Sequence, residues 1–116
     1  MTYIEKIDIV LYFFAQSDYH KNDCFVGDEL VEGVYTLSPE FKKEPTANND
    51  IGRCLDQLED DKYIKLIKVT KGEDTTKYTA ALITYKGLMF LDAGGYNGEI
   101  IRKNAENTRI EKLEIS

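Results

Sequence analysis

Residues 51–87 constrain this chain more than any other stretch, because a helical period gives way to two strand-like runs and then returns. Ile51, Leu55 and Leu58 recur at the spacing of one helix face. They are followed by Tyr63-Ile64-Lys65-Leu66-Ile67-Lys68-Val69-Thr70 and, after a polar turn, by Lys77-Tyr78-Thr79-Ala80-Ala81-Leu82-Ile83-Thr84. Both runs are rich in β-branched and aromatic residues, and together they predict an antiparallel hairpin. The turn Lys71-Gly72-Glu73-Asp74-Thr75-Thr76 is longer than the two-residue loop a bare hairpin needs. Tyr85-Lys86-Gly87 then opens a further helix that Thr84 can cap, with Leu88, Phe90 and Leu91 as its apolar residues and Gly94-Gly95 as its stop. A helix, a hairpin and a helix in immediate succession imply an α+β fold that is mainly helical.

The residues before this unit read as helices. Ile4, Ile7, Leu11 and Phe14 form one stripe, and Ile9, Val10, Tyr12 and Phe13 widen it until little of the circumference is polar, so this first helix is buried on several sides. Residues 16–23 break the period, and Gly27-Asp28-Glu29 starts a short second helix carrying Leu30, Val31, Val34 and Tyr35. Pro39 and Pro45 make the next stretch a loop with one helical turn around Phe41. The third long helix begins near residues 47–50, where Asn48, Asn49 or Asp50 can cap free amides, and ends near Lys62. Its inward face carries Ile51, Cys54, Leu55 and Leu58, leaving Asn49, Gly52, Arg53, Asp56, Gln57 and Asp60 outward. Residues 1–95 thus read as one domain and residues 96–116 as a charged, helical tail serving as a dimerisation element or an extension.

Composition narrows the function. With 116 residues and 42% hydrophobic content the chain supports one core, and its net charge of -6 means that contact with a polyanion requires a local basic surface. The hairpin, with Lys65, Lys68, Lys71 and Lys77, is the segment with a basic balance. No apolar run approaches the roughly 20 residues of a membrane span, and acids stand where a secretory signal would carry bases, so a cytoplasmic protein with thiol cysteines at Cys24 and Cys54 is expected. His20, Cys24, Asp18 and Asp23 lie close in sequence, but a closed zinc site recruits four nitrogen or sulfur ligands and only Cys54 remains, so a plain polar loop is the reading. With a single histidine and no glycine-rich phosphate loop, no catalytic residue, metal or cofactor is assigned and an enzyme is not expected.

Ile51-Gly52-Arg53-Cys54-Leu55-Asp56-Gln57-Leu58-Glu59 followed by Tyr63-Ile64, together with Tyr78 followed by Leu82-Ile83-Thr84-Tyr85-Lys86-Gly87, resembles winged helix-turn-helix domains of small bacterial transcription regulators. The two parts cover about a third of the chain. The resemblance implies a two-stranded wing, a recognition helix in the major groove and a C-terminal helical extension. It places Asn49, Arg53 and Gln57 on base edges and Lys68, Lys71 and Lys77 on phosphates, with double-stranded DNA as the partner.

The chain departs from that pattern in two respects. The connection between the second and third long helices exceeds the 3 to 4 residues of a helix-turn-helix. Asp50, Asp56, Glu59, Asp60 and Asp61 also outnumber Arg53 and Lys62 on the helix that would approach phosphates. A protein-interaction or dimerisation module is therefore the alternative to DNA binding, and a ligand-regulated sensor a third reading. Edge-strand lysines that block unwanted pairing and a solvated helix face on which Arg53 pairs with its acidic neighbours are the structural counterparts of the two basic signals. Tyr85, Tyr96 and the aromatic first helix offer a contact patch or a core. Since the first helix and the tail carry more apolar surface than one such core uses, a homodimer is expected.

Overall fold

A computed structural model of the protein describes residues 1–16, 24–25, 28–70 and 77–115, with side chains at 1–16, 30–68 and 80–106. The elements run α1 (Tyr3–Ala15), β1 (Cys24–Phe25), α2 (Asp28–Leu37), α3 (Pro39–Lys42), α4 (Ala47–Asp60), β2 (Ile64–Thr70), β3 (Lys77–Ile83), α5 (Tyr85–Asp92) and α6 (Gly95–Ile115). The fold is α+β and mainly helical, in a layout consistent with a winged helix.

Helix α1 is the hub. Thr2 accepts the Glu5 amide at its N-terminus, and Ile7, Val10, Leu11, Phe13 and Phe14 are buried along the helix. Every other long helix and β3 pack on it, so nearly its whole circumference is apolar, as its sequence implies. The helical turn expected around Phe41 is α3, started by Pro39 at its first position, and the Phe41 ring is fully buried.

The third predicted helix is α4. Ile51, Cys54, Leu55 and Leu58 are all buried on one side, as their spacing requires. The helix closes through a left-handed residue that is not glycine. Lys62 has φ 69°, the Tyr63 amide returns to the Leu58 carbonyl at 2.9 Å, and the Lys62 amide to Glu59 at 3.0 Å. That turn aims the chain into β2.

The hairpin forms where expected, β2 pairing with β3 antiparallel from Ile64↔Ile83 to Thr70↔Lys77. Register puts Ile64, Leu66 and their partners Ile83 and Ala81 on one face, and Ile64, Ala81 and Ile83 are buried there. The sheet has a third member: β1 pairs with β3, giving the order β1-β3-β2, so the hairpin is attached to a strand that precedes α2. A two-residue strand has no measurable period, which is why sequence suggested only two strands.

Thr84 joins three elements. Its amide donates to the Tyr63 carbonyl at 2.9 Å, its hydroxyl donates to the Lys62 carbonyl at 2.7 Å, and the same hydroxyl accepts the Gly87 amide at 3.0 Å as the cap of α5. Gly94 and Gly95, at φ 105° and 65°, end α5, and α6 begins in the same step. The cap of α6 comes from α1, because Asp8 accepts the Tyr96 amide at 2.8 Å and the Asn97 amide at 3.1 Å. A Cβ at Gly95 would stand 2.6 Å from Asp8 Oδ1, so that cap needs glycine for its close approach as well as for its φ. Beyond its first turn α6 leaves the body, and residues 100–106 are all exposed. The radius of gyration, 16.9 Å, accordingly exceeds the roughly 13 Å of a compact chain this long.

Candidate nucleic-acid interface

The outward face of α4 is where the sequence places base-contacting groups. Asn49, Gly52, Arg53 and Asp56 are exposed there with Glu59 and Asp60, while Gln57 is half-buried. Asn49 and Arg53 are one turn apart on the open surface. Tyr3 borders them, sharing a cleft with Arg53, Asp56, Gln57 and Asp60, and its hydroxyl lies 3.4 Å from the Arg53 carbonyl. Among the described residues the ion pairs join Lys6 to Asp50, Lys103 to Glu99 and the amino terminus to Glu44, and the Arg53 guanidinium takes part in none of them.

Asp50 does not belong to this face. Its carboxylate turns inward to the Lys6 ammonium at 2.7 Å, accepts the Thr46 hydroxyl at 2.8 Å, and is only 6% exposed, so it caps no helix and presents no charge to a ligand. The Lys6 hydrogen bond, then that of Thr46, holds the Asp50 carboxyl below its ordinary range, and the same bond holds the Lys6 ammonium above its own. Between residues 47 and 79 six bases stand against seven acids. With Asp50 neutralised by a lysine of α1, the formal charges of this segment come close to balance although the chain carries -6.

Gln57 is engaged as well. Its amide nitrogen donates to Asp61 Oδ2 at 2.9 Å, and the same oxygen accepts the Tyr96 hydroxyl. Tyr96 is therefore not part of an exposed patch. Its ring meets Phe90 edge-on at 4.8 Å and Tyr63 edge-on at 5.7 Å, and those two stack on each other at 4.1 Å. Burial, followed by the bond to Asp61, pushes the Tyr96 phenol far above the ordinary tyrosine value. Tyr85, in contrast, is 78% exposed.

On the hairpin, Lys68 is exposed on β2. Lys68 faces Thr79 across the ladder and Lys77 faces Thr70, which puts positions 68 and 77 diagonally on one face of the distal sheet. Lys71 lies outside the described residues, as do His20, Asp18 and Asp23. Lys65 is on the opposite face from Lys68 but borders, with Lys62, the groove between the end of α4 and β2. These two cations are additional candidates for a phosphate. Lys65 already belongs to the basic balance of the hairpin in sequence, whereas Lys62, at the end of the acidic α4, was not singled out for a phosphate.

Cys54 is a free, fully buried thiol whose burial pushes its pKa up to about 12. Among the described residues no three His, Cys, Asp or Glu side chains gather as a metal site would require, and no helix is long and apolar enough to cross a membrane. No protein-family model and no curated protein sequence matches the chain.

Proposed function

We propose that this chain is a non-enzymatic, transcription-regulator-like DNA-binding protein of winged helix-turn-helix type acting in the cytoplasm, with α4 in the major groove and the β2–β3 wing on the backbone. The observation that carries the reading is the exposed Arg53 guanidinium, free of any carboxylate pair among the described residues although Asp56 and Asp60 stand nearby. Such a group matches the O6 and N7 acceptors of guanine, and Asn49 one turn away matches adenine. Gly52 supports it. A glycine inside a 14-residue helix costs about 1 kcal/mol relative to alanine, yet a Cβ there would meet nothing within 4 Å, so no neighbour among the described residues requires it. A notch between Asn49 and Arg53 lets a ligand backbone come close.

A homodimer completes the proposal. Residues 100–106 of α6 are exposed with Ile100 and Ile101 among them, and a helix this polar is marginal in water without a partner. Its acids Glu99, Glu106, Glu111 and Glu114 are matched in number by Arg102, Lys103, Arg109 and Lys112, so two copies meeting here add no repulsion to the -6 each carries.

A protein-interaction module is the second reading, favoured by the exposed Asp56, Glu59 and Asp60 beside the half-exposed Tyr3. Selection from random duplex DNA at low salt separates the two. Enrichment of a motif whose binding falls by about 1 to 3 kcal/mol in Arg53→Ala supports DNA reading. Absence of any enrichment, with no shift on random duplex, removes it and leaves the protein partner.

A further inference from the structure

We propose that Tyr96 and Asp61 are positioning residues that hold the Gln57 side-chain amide in one orientation and so tie the base of α6 to the reading face of α4. The geometry is a chain of three side chains from two elements and the turn between α4 and β2. Gln57 Nε2 donates to Asp61 Oδ2 at 2.9 Å, and the Tyr96 hydroxyl donates to the same oxygen. A primary amide has two hydrogens and a carbonyl oxygen. With one hydrogen on Asp61, the other hydrogen and Oε1 remain as a donor–acceptor pair, which is the pattern that reads the N7 and N6 edge of adenine. A flipped amide would set Oε1 against the carboxylate, so Asp61 selects one of the two orientations.

Asp61 is itself held from several directions. Its amide returns to the Gln57 carbonyl at 2.9 Å, and its own carbonyl accepts Lys86 Nζ at 3.1 Å. Tyr96 is fixed at both ends, by the Asp8 carboxylate at its amide and by the Tyr63–Phe90 stack at its ring. Arg102 adds a bond from α6 back to the Ala93 carbonyl. The base of α6 is therefore held at its backbone and at the Tyr96 ring, and Asp61 Oδ2 joins it directly to the Gln57 side chain.

The consequence for base reading rests on the DNA-binding proposal; the orientation of the amide does not, and the test separates them. In full-length protein, the side-chain amide protons of Gln57, assigned by their loss in Gln57→Ala, are followed by NMR for exchange with water. Slow exchange in the wild type that accelerates about tenfold in Tyr96→Phe and further in Asp61→Asn, with the backbone spectrum otherwise retained, is the expected result. Exchange as fast as that of an exposed glutamine in the wild type, or unchanged exchange in Tyr96→Phe, overturns the proposal. On a selected duplex, Tyr96→Phe is expected to reduce the preference for adenine at one base pair by about tenfold while leaving affinity for random duplex unaltered. A uniform loss on all sequences would show a merely structural role and overturn the specificity claim. If the wild type binds no duplex, the DNA proposal fails and the NMR measurement alone decides whether the joint exists.

Discussion

Alanine at two helical glycines should move stability in opposite directions. At an ordinary helix position the change gains about 0.5 to 1 kcal/mol, because glycine loses more backbone freedom on folding. Gly52 is such a position, with nothing within 4 Å of a new Cβ. Gly87 is not. A Cβ there would lie 2.2 Å from the Tyr63 carbonyl oxygen and 3.0 Å from Ile83 Cγ1, about 1 Å inside normal contact. That carbonyl also accepts the Thr84 amide, so it cannot retreat without opening the link between the α4 turn and β3. Moving α5 away instead costs about 1 to 3 kcal/mol of overpacking strain. It also weakens the Thr84 cap on the Gly87 amide, typically worth about 1 kcal/mol. After the intrinsic gain of alanine, a net loss of about 2 kcal/mol remains for Gly87→Ala. Urea unfolding followed by far-UV circular dichroism reads this directly. With a slope of about 1 to 2 kcal/mol/M, Gly87→Ala should lower the midpoint by about 1 to 2 M and Gly52→Ala should raise it by about 0.5 M, at unchanged slopes. A Gly87→Ala protein as stable as the wild type would refute the close packing of α5 on the α4–β2 turn.

Three further outcomes follow from the same contacts. The Asp50 carboxylate, held below its ordinary value of 3.8, contributes stability that is present above that value and lost as pH falls through the lower folded one. The Lys6 ammonium, held above 10.5, contributes stability that is full below 10.5 and lost as pH rises through the higher folded value. The urea midpoint of a Lys6→Met, Asp50→Leu variant should thus fall less steeply than that of the wild type at both ends, and superimposable profiles would contradict the pair's role. In a Cys24→Ser background, Cys54 should resist an aromatic disulfide reagent at pH 8 and react at once in denaturant, since burial keeps it a thiol to about 12; fast native labelling would show the α1–α4 core to be open. Light scattering should find two chains per particle for the wild type and one for Ile100→Lys, Ile101→Glu, and a monomeric wild type would remove the dimer.

What was legible in the sequence was what period and punctuation encode. The hairpin could be placed because β-branched runs flank a polar turn, and the α4 core face because Ile51, Cys54, Leu55 and Leu58 share one side. Asp50 looked like a surface acid because its partner Lys6 is 44 residues away on another helix, and nothing local distinguishes a paired carboxylate from a solvated one. The turn after α4 carried no glycine to announce the positive φ at Lys62. The Gln57–Asp61 step is one helical turn and readable in principle, whereas its link to Tyr96 depends on how Tyr63 and Phe90 stack. Asp8 gave no sign of capping a helix 88 residues downstream. The candidate residues Asn49, Arg53 and Gln57 fall on α4 and Lys68 and Lys77 on the hairpin, as their sequence positions imply, but the commitment of Gln57 and the pairing of Asp50 were matters of tertiary packing.

The central claim, that α4 and the wing together read duplex DNA, is tested most directly by backbone amide NMR during titration with a selected duplex at low salt. The expected footprint covers Asn49, Gly52, Arg53 and Gln57 on α4 with Lys68 and Lys77 on the hairpin, and it fades as salt rises because the lysine contacts are to phosphates. Shifts confined to the α5–α6 surface around Tyr85, Met89 and Ile101, or no shift at all, would contradict it.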